Sequence, residues 1–208
     1  MNDQVIFPDR KSAGKALALA LDHLKGMKGV VLAIPRGGVP VAAEVAHALS
    51  MPLDILLSKK IGHPVNPEFA IGAVSLEDRV LSPEQDLDPK WIDAETLRIR
   101  KELTSKSQRL RGDRTDILLR DRIVIIVDDG IATGQTLRAT LLMIKRRQPA
   151  KIVIAVPVAP AATVRMLRPE VDELVVLHTP LYFAGVGAFY ADFSQVEDAE
   201  VATLLKQG

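Results

Sequence analysis

Residues 124–136 read VIIVDDGIATGQT: a run of branched aliphatics, two adjacent carboxylates at Asp128 and Asp129, and a short loop of small and hydroxylated residues. Beyond the loop, Leu137, Leu141 and Ile144 fall at helical spacing. The order is strand, acidic pair, small-residue loop, helix. A parallel strand covered by helices on both faces reads as an unbroken aliphatic run, as residues 123–127 do. A loop entering a helix aims unpaired backbone N–H groups outward at the positive end of the helix dipole, which suits a phosphate. Small side chains let the phosphate come close, and the hydroxyls of Thr133 and Thr136 add donors. The two carboxylates would repel that phosphate but accept hydrogen bonds from a vicinal diol. The layout describes a sugar phosphate.

A second constellation lies upstream. Residues 30–34 form a short aliphatic strand that runs into Pro35, Arg36, Gly37 and Gly38, and a helix is expected from about Pro40, a residue suited to the first helical turn. The glycine pair lets the backbone approach a ligand, and Arg36 offers a fork of donors matched to phosphate oxygens. The next strand, 53–57, leads into Ser58, Lys59, Lys60, Ile61, Gly62, His63 and Pro64. Lys59 or Lys60 at that strand end either joins Arg36 in neutralising a pyrophosphate or belongs to a solvated basic turn.

On these residues the chain resembles the type I phosphoribosyltransferases, whose donor motif has four hydrophobics, an acidic pair, two mostly aliphatic positions and a small Thr/Gly-rich loop. The resemblance implies that Asp128 and Asp129 hold the ribose 2- and 3-hydroxyls. It implies that Ala132, Thr133, Gly134, Gln135 and Thr136 cradle the 5-phosphate. By the same resemblance Pro35, Arg36, Gly37 and Gly38 bind the pyrophosphate, with a cis peptide between Pro35 and Arg36. Arg36, Lys59, Lys60, Asp128 and Asp129 form the implied catalytic set. Mg²⁺ is the implied cofactor, held by the ligand, with Asp128, Asp129 or Asp192 acting through water. Gly130 departs from the motif, where an aliphatic residue is usual, and reads as added backbone freedom after the acidic pair. Ala132 stands where enzymes for 6-oxopurines carry an Asp, so the acceptor base stays open. The whole pattern looks most like a group of bacterial phosphoribosyltransferases of unassigned substrate.

Residues 12–24 have helical apolar spacing with Asp9 or Ser12 as cap. Residues 69–74 and 79–81 read as a ribbon, with Glu68 at its base, and residues 61–65 as a lid. Residues 91–111 form a long polar helix rich in Arg98, Arg100, Lys101, Lys106, Arg109 and Arg111, with Arg114 just beyond it. It serves either as a solvated cover or dimer contact, or as an electrostatic surface for RNA. Strands follow at 151–156 and 173–177, with a helix at 160–167 between them. His47 lies in an apolar helical pattern and reads as structural, His63 as a loop residue without a role, and His178 as ambiguous near the site. Residues 180–195, PLYFAGVGAFYADFSQ, concentrate aromatics. Tyr182, Phe183, Phe189 and Tyr190 are core anchors or a hood over a planar base. The resemblance to the hood of hypoxanthine-guanine phosphoribosyltransferases puts Phe183 on the base and Asp192 near the pyrophosphate and its metal.

The chain of 208 residues is long enough for one α/β domain. Lys plus Arg number 27 against 26 for Asp plus Glu, so net charge selects no polyanionic partner. The absence of cysteine excludes disulfides and fits a cytoplasmic location. No run approaches the roughly 18 apolar residues a membrane helix needs. The expected fold is a doubly wound, mostly parallel sheet with helices on both faces and a small hood. It is a single 1–208 domain carrying an inserted ribbon, lid and polar helix at 61–115 and the hood at 179–195. The expected activity is that of a Mg²⁺-dependent pentosyltransferase. It moves 5-phosphoribosyl from phosphoribosyl pyrophosphate to a nitrogen nucleophile, expected to be a nucleobase in nucleotide salvage. The alternative is a phosphoribosyl pyrophosphate sensor on the same fold that binds RNA or DNA. A homodimer would be compatible with either.

Overall fold

The computed structural model describes residues 5–66, 69–81, 87–112, 114 and 116–207. Aliphatic runs form the centre. Strands β1 (Gly29–Ala33), β2 (Leu53–Ile55), β6 (Ile123–Val127), β7 (Lys151–Val158) and β8 (Glu173–His178) make one parallel sheet in the order β2-β1-β6-β7-β8. Every residue of β1 and β6 is buried, as an unbroken aliphatic strand with two covered faces must be.

Because side chains alternate along a strand, the sheet feeds two cores. Val31, Ala33, Ile125 and Val127 face α1 (Arg10–Ala20) and α2 (Gly38–Leu49), through Leu17, Ala18, Val41 and Val45. Val30, Leu32, Val124 and Ile126 face α4 (Gln135–Arg146) and α5 (Ala161–Leu167), through Leu137, Leu141, Ile144 and Leu167. The doubly wound architecture expected from the sequence is the one observed. Asp9 caps α1, its carboxylate accepting from the Ser12 N–H at 2.6 Å.

The register positions the site. Ala33 pairs with Val127, the last residues of β1 and β6, and the Ile34 N–H donates to the Val127 carbonyl at 2.9 Å. Loops 34–38 and 128–134 therefore leave neighbouring strands at the same level. Their helices depart to opposite faces, which opens a crevice at the topological switch point.

The segment after β2 differs from expectation. The strand ends at Ile55, with the Leu56 N–H still on the Ala33 carbonyl at 2.8 Å, and Ser58–Gly62 is a strand of its own, β3, pairing antiparallel with β4 (Ala70–Ser75), which pairs with β5 (Arg79–Leu81). Ile61, expected in a lid, is fully buried and pairs with Gly72, so it is sheet. The turn starts at His63, whose Nδ1 accepts from the Val65 N–H at 3.2 Å. Glu68 lies outside the described residues.

Helix α3 (Pro89–Arg111) packs on β3, β4 and α6 (Asp198–Gln207), the last helix, which the sequence pattern did not reveal. The arginines of α3 have partners. Arg98 pairs with Glu95 and Glu102, Arg100 donates to the Glu77 carbonyl, and Arg109 Nε meets Asp198 at 3.2 Å. The Arg111 side chain is largely covered, with Nε on Asp54 and Nη2 on the Ile55 carbonyl, both at 2.7 Å, and Nη1 on Asp116. It fastens the end of α3 to the edge of the sheet. The polar helix is thus a packed element with its own counter-charges, which weakens its case as a surface for RNA.

Candidate active site

The two loops touch each other. A Cβ on Gly37 would lie 2.1 Å from Asp129 Oδ2, and one on Gly38 would lie 2.8 Å from the Asp128 Cα. Gly37 has ordinary helical angles, φ −60° and ψ −33°. The glycines are therefore needed for room, so that the acidic pair can seat against the start of α2. The Pro35–Arg36 peptide between the strand and these glycines is cis, as the resemblance implied.

A cavity of about 250 Å³ lies between the loops, lined by Pro35, Asp128 and residues 130–137, together with Ser58 and Thr140. On the α4 side it is a backbone surface. Ala132, Thr133, Gln135 and Thr136 are exposed, and no side chain caps α4. Among the described residues the N–H groups of Thr133, Gly134 and Gln135 donate to nothing within the chain. Gly134 holds φ +69°, a left-handed position that turns the loop into the helix. The Thr163 hydroxyl donates to the Ala132 carbonyl, and Thr140 Oγ1 donates to the Thr136 carbonyl at 2.8 Å, which fixes the loop from below.

The two aspartates are not equivalent. Asp128 lines the cavity, and its Oδ1 accepts from the Asp129 N–H at 2.9 Å. Asp129 is buried, with Oδ2 on Arg10 Nε at 2.8 Å. Arg10 in turn donates to the Ser194 carbonyl at 2.7 Å and lies 3.9 Å over the Phe193 ring. Burial raises the Asp128 carboxyl well above the ordinary range, and the negative charge of Asp129 adds to this. Burial raises Asp129 as well, against the pull of Arg10. The pair holds a proton more tightly than two free aspartates, and the Arg10 contact places the remaining charge on Asp129.

Tyr190, one of the anchor candidates, reaches the same place. Its hydroxyl donates to the Asp129 carbonyl at 2.6 Å, and burial followed by the Asp129 charge raises its pKa, so it stays protonated. Gly130 is not a source of backbone freedom. Its φ is not positive, and a Cβ there would sit 2.6 Å from Val186 and 2.8 Å from Val158. The glycine makes room for the hood.

Other expected residues lie elsewhere. Arg36 Nη1 is 3.5 Å from Asp198 and 4.0 Å from Glu197, at the start of α6. Lys59 turns toward α3, with Nζ on Glu102 at 2.6 Å. Neither Lys59 nor Lys60 lines the cavity, because β2 ends at Ile55 and both lysines belong to β3. Lys106 of α3 lines it instead. Phe183 stacks on the buried Phe189 at 5.7 Å and 25°, as part of the hood's own core. Asp192 sits on an exposed turn, its carboxyl lowered by the hydrogen bond from the Ser194 N–H at 2.9 Å. Neither residue lines this cavity. His47 is exposed and does not belong to the core, while His178 packs 5.7 Å from the Phe189 ring.

A doubly wound sheet with two loops closing on one crevice, one presenting backbone N–H groups and the other an arginine beside a paired acidic loop, defines the type I phosphoribosyltransferase fold. The chain belongs to the phosphoribosyl transferase domain family, whose profile matches residues 10–180. It is 42% identical over 205 residues to a provisionally named phosphoribosyl transferase known from two strains of Mycobacterium tuberculosis. That match takes in 96% of this chain but 46% of the relative, so the chain spans about half the relative's length. The crystal structure of TT1426 from Thermus thermophilus superposes with a TM-score of 0.87 at 41% identity, over 97% of this chain and 98% of that one. A hypoxanthine phosphoribosyltransferase from Staphylococcus aureus shares the fold, with a TM-score of 0.50 at 14% identity, over 84% of this chain and 76% of that one. No helix among the described residues is long and apolar enough to cross a membrane.

Proposed function

We propose that this chain transfers the 5-phosphoribosyl group from phosphoribosyl pyrophosphate to a nitrogen nucleophile, with release of pyrophosphate. The observation that carries the proposal is the contact of the two loops beside one cavity: Gly37 and Gly38 seat on Asp129 and Asp128, and the cavity is walled by Pro35, by Asp128 as diol acceptor and by the open N–H groups of the α4 loop.

The free N–H groups of 133–135 at the positive end of α4 take the 5-phosphate, with Thr133 and Thr136 adding hydroxyls. Asp128 accepts from a ribose hydroxyl, and Asp129, held by Arg10 and Tyr190, fixes the position of its neighbour. As the nucleophile's electron pair forms the new bond at C1, the bond from C1 to the pyrophosphate oxygen breaks and its electrons leave with pyrophosphate. Arg36 meets the charge that builds there. Among the described residues no cluster of three or more His, Cys, Asp or Glu is placed to hold a metal ion. Asp128 is the one carboxylate among the described residues on the cavity wall, a donor set that suits Mg²⁺ carried in on a diphosphate with its waters. Such an ion neutralises pyrophosphate oxygens when bound.

With Ala132 in place of a carboxylate, the loop offers no charged partner to a purine ring. A pyrophosphate-release assay with Mg²⁺, phosphoribosyl pyrophosphate and a panel of purines, pyrimidines and simple amines tests the proposal. Turnover with any acceptor, lost in Arg36→Ala, supports it. Donor binding without turnover on any acceptor, together with salt-sensitive RNA affinity, would favour the sensor.

A further inference from the structure

We propose that Lys106 binds the pyrophosphate group of the donor, as a cation that α3 delivers to the cavity wall on the side of Pro35; this rests on the transfer reaction proposed above. The inward stripe of α3 runs Ile92, Thr96, Ile99, Leu103 and Leu110. Its spacings alternate four and three as far as Leu103, so the next inward position is 106, and Leu110 follows four later. A lysine stands where the stripe calls for an aliphatic residue.

Its surroundings explain why that is informative. Lys106 is half-buried and lines the cavity beside Leu103 and Pro35. Among the described residues it makes no hydrogen bond or ion pair, whereas Lys59, Arg98, Arg109 and Arg111 of the same region all do. The nearest carboxylate by its electrostatic effect, Asp198, is already shared by Arg36 and Arg109. Burial lowers the Lys106 pKa, and the charge of Arg36 lowers it further, against the opposing pull of Asp198. An unpaired ammonium taken partly out of water is unfavourable unless an anion completes it. The 5-phosphate has its own partners in the free N–H groups at the start of α4. Lys106 instead lines the wall beside Pro35, near enough to Arg36 for the two charges to act on each other, and two neighbouring cations match the charge of a diphosphate.

The test separates the two halves of the donor. Lys106→Met keeps the stem's packing and removes the charge. Binding of inorganic pyrophosphate and of ribose 5-phosphate, each with Mg²⁺, is measured by calorimetry on the whole chain, with Tm alongside. The expected result is pyrophosphate binding weakened roughly ten- to hundredfold, ribose 5-phosphate affinity within about twofold, Tm unchanged or raised, and substantial recovery in Lys106→Arg. Pyrophosphate affinity equal to that of the unaltered chain overturns the assignment. So does an equal loss for both ligands with a lower Tm, the mark of a packing residue. In either case the transfer reaction stands on the unaltered chain's ribose 5-phosphate binding and turnover. If the unaltered chain binds neither half, both proposals fall together.

Discussion

The two ends of the cavity are built from different materials. The end at α4 is backbone: N–H groups of residues 133–135, a left-handed Gly134 and hydroxyls that brace the loop from beneath. The other end is side chain: Lys106 of α3 lines the wall beside Pro35, and Arg36, from the loop after β1 and paired with Asp198 of α6, acts on it through its charge. A backbone surface comes from one continuous stretch and cannot be deleted by substitution, only bent. A side-chain surface gathers distant segments, and each member can be removed singly. The join between the ends is steric, since Gly37 and Gly38 lie against the acidic pair.

The largest effect is expected at that join. Gly37→Ala puts a Cβ 2.1 Å from Asp129 Oδ2, so the loops must part. We expect a loss of about 3 kcal/mol in chemical denaturation and at least a roughly thousandfold fall in kcat/KM from misplaced groups. Full activity would show that the loops need not touch. Next comes the side-chain end. Arg36→Met should lower turnover roughly hundredfold while moving Tm little, because its partners Asp198 and Glu197 are substantially exposed. A large Tm drop would make Arg36 a structural residue. The backbone end should yield least to a side-chain change. Thr133→Val is expected to weaken ribose 5-phosphate only about tenfold by calorimetry, since the N–H groups remain. A loss as great as that of Arg36→Met would erase the contrast between the ends.

The smallest expected effect is on stability against pH. The raised Asp128 carboxyl means the folded chain binds a proton that the unfolded chain releases near the ordinary value of 3.8. That contribution is complete below about pH 4 and is lost as pH rises through the folded value. The ligand-free protein should therefore lose Tm over this range relative to Asp128→Asn, in which the step is absent. Parallel Tm curves for the two proteins would place the proton elsewhere.

What could be read in advance follows the same division. The strand, acidic pair and loop of 123–136 lie in one stretch, and local propensity with burial on both faces suffices to recognise them. The pairing of that loop with Pro35 to Gly38 was implied only by the family resemblance, and the register of β1 on β6 brings the two together. Lys59 and Lys60 stand off the cavity wall because the chain starts an antiparallel strand at Ser58, a change of sheet that nothing local shows. Lys106 was visible only as one of several cations on a polar helix; its inward position depends on which stripe of α3 is buried. Tyr190 was an aromatic with two open roles, and its contact with Asp129 spans 61 residues of sequence.

By itself, then, the sequence determined the aliphatic strands, the small-residue turn into α4 and the acidic pair, because each arises from interactions among near neighbours. Only the tertiary structure decided which aspartate faces the cavity, why positions 37, 38 and 130 have no room for a side chain, and which lysine lines the cavity. Those outcomes turn on contacts between segments far apart in the chain, where a single Cβ or the direction of a helix face settles what can meet.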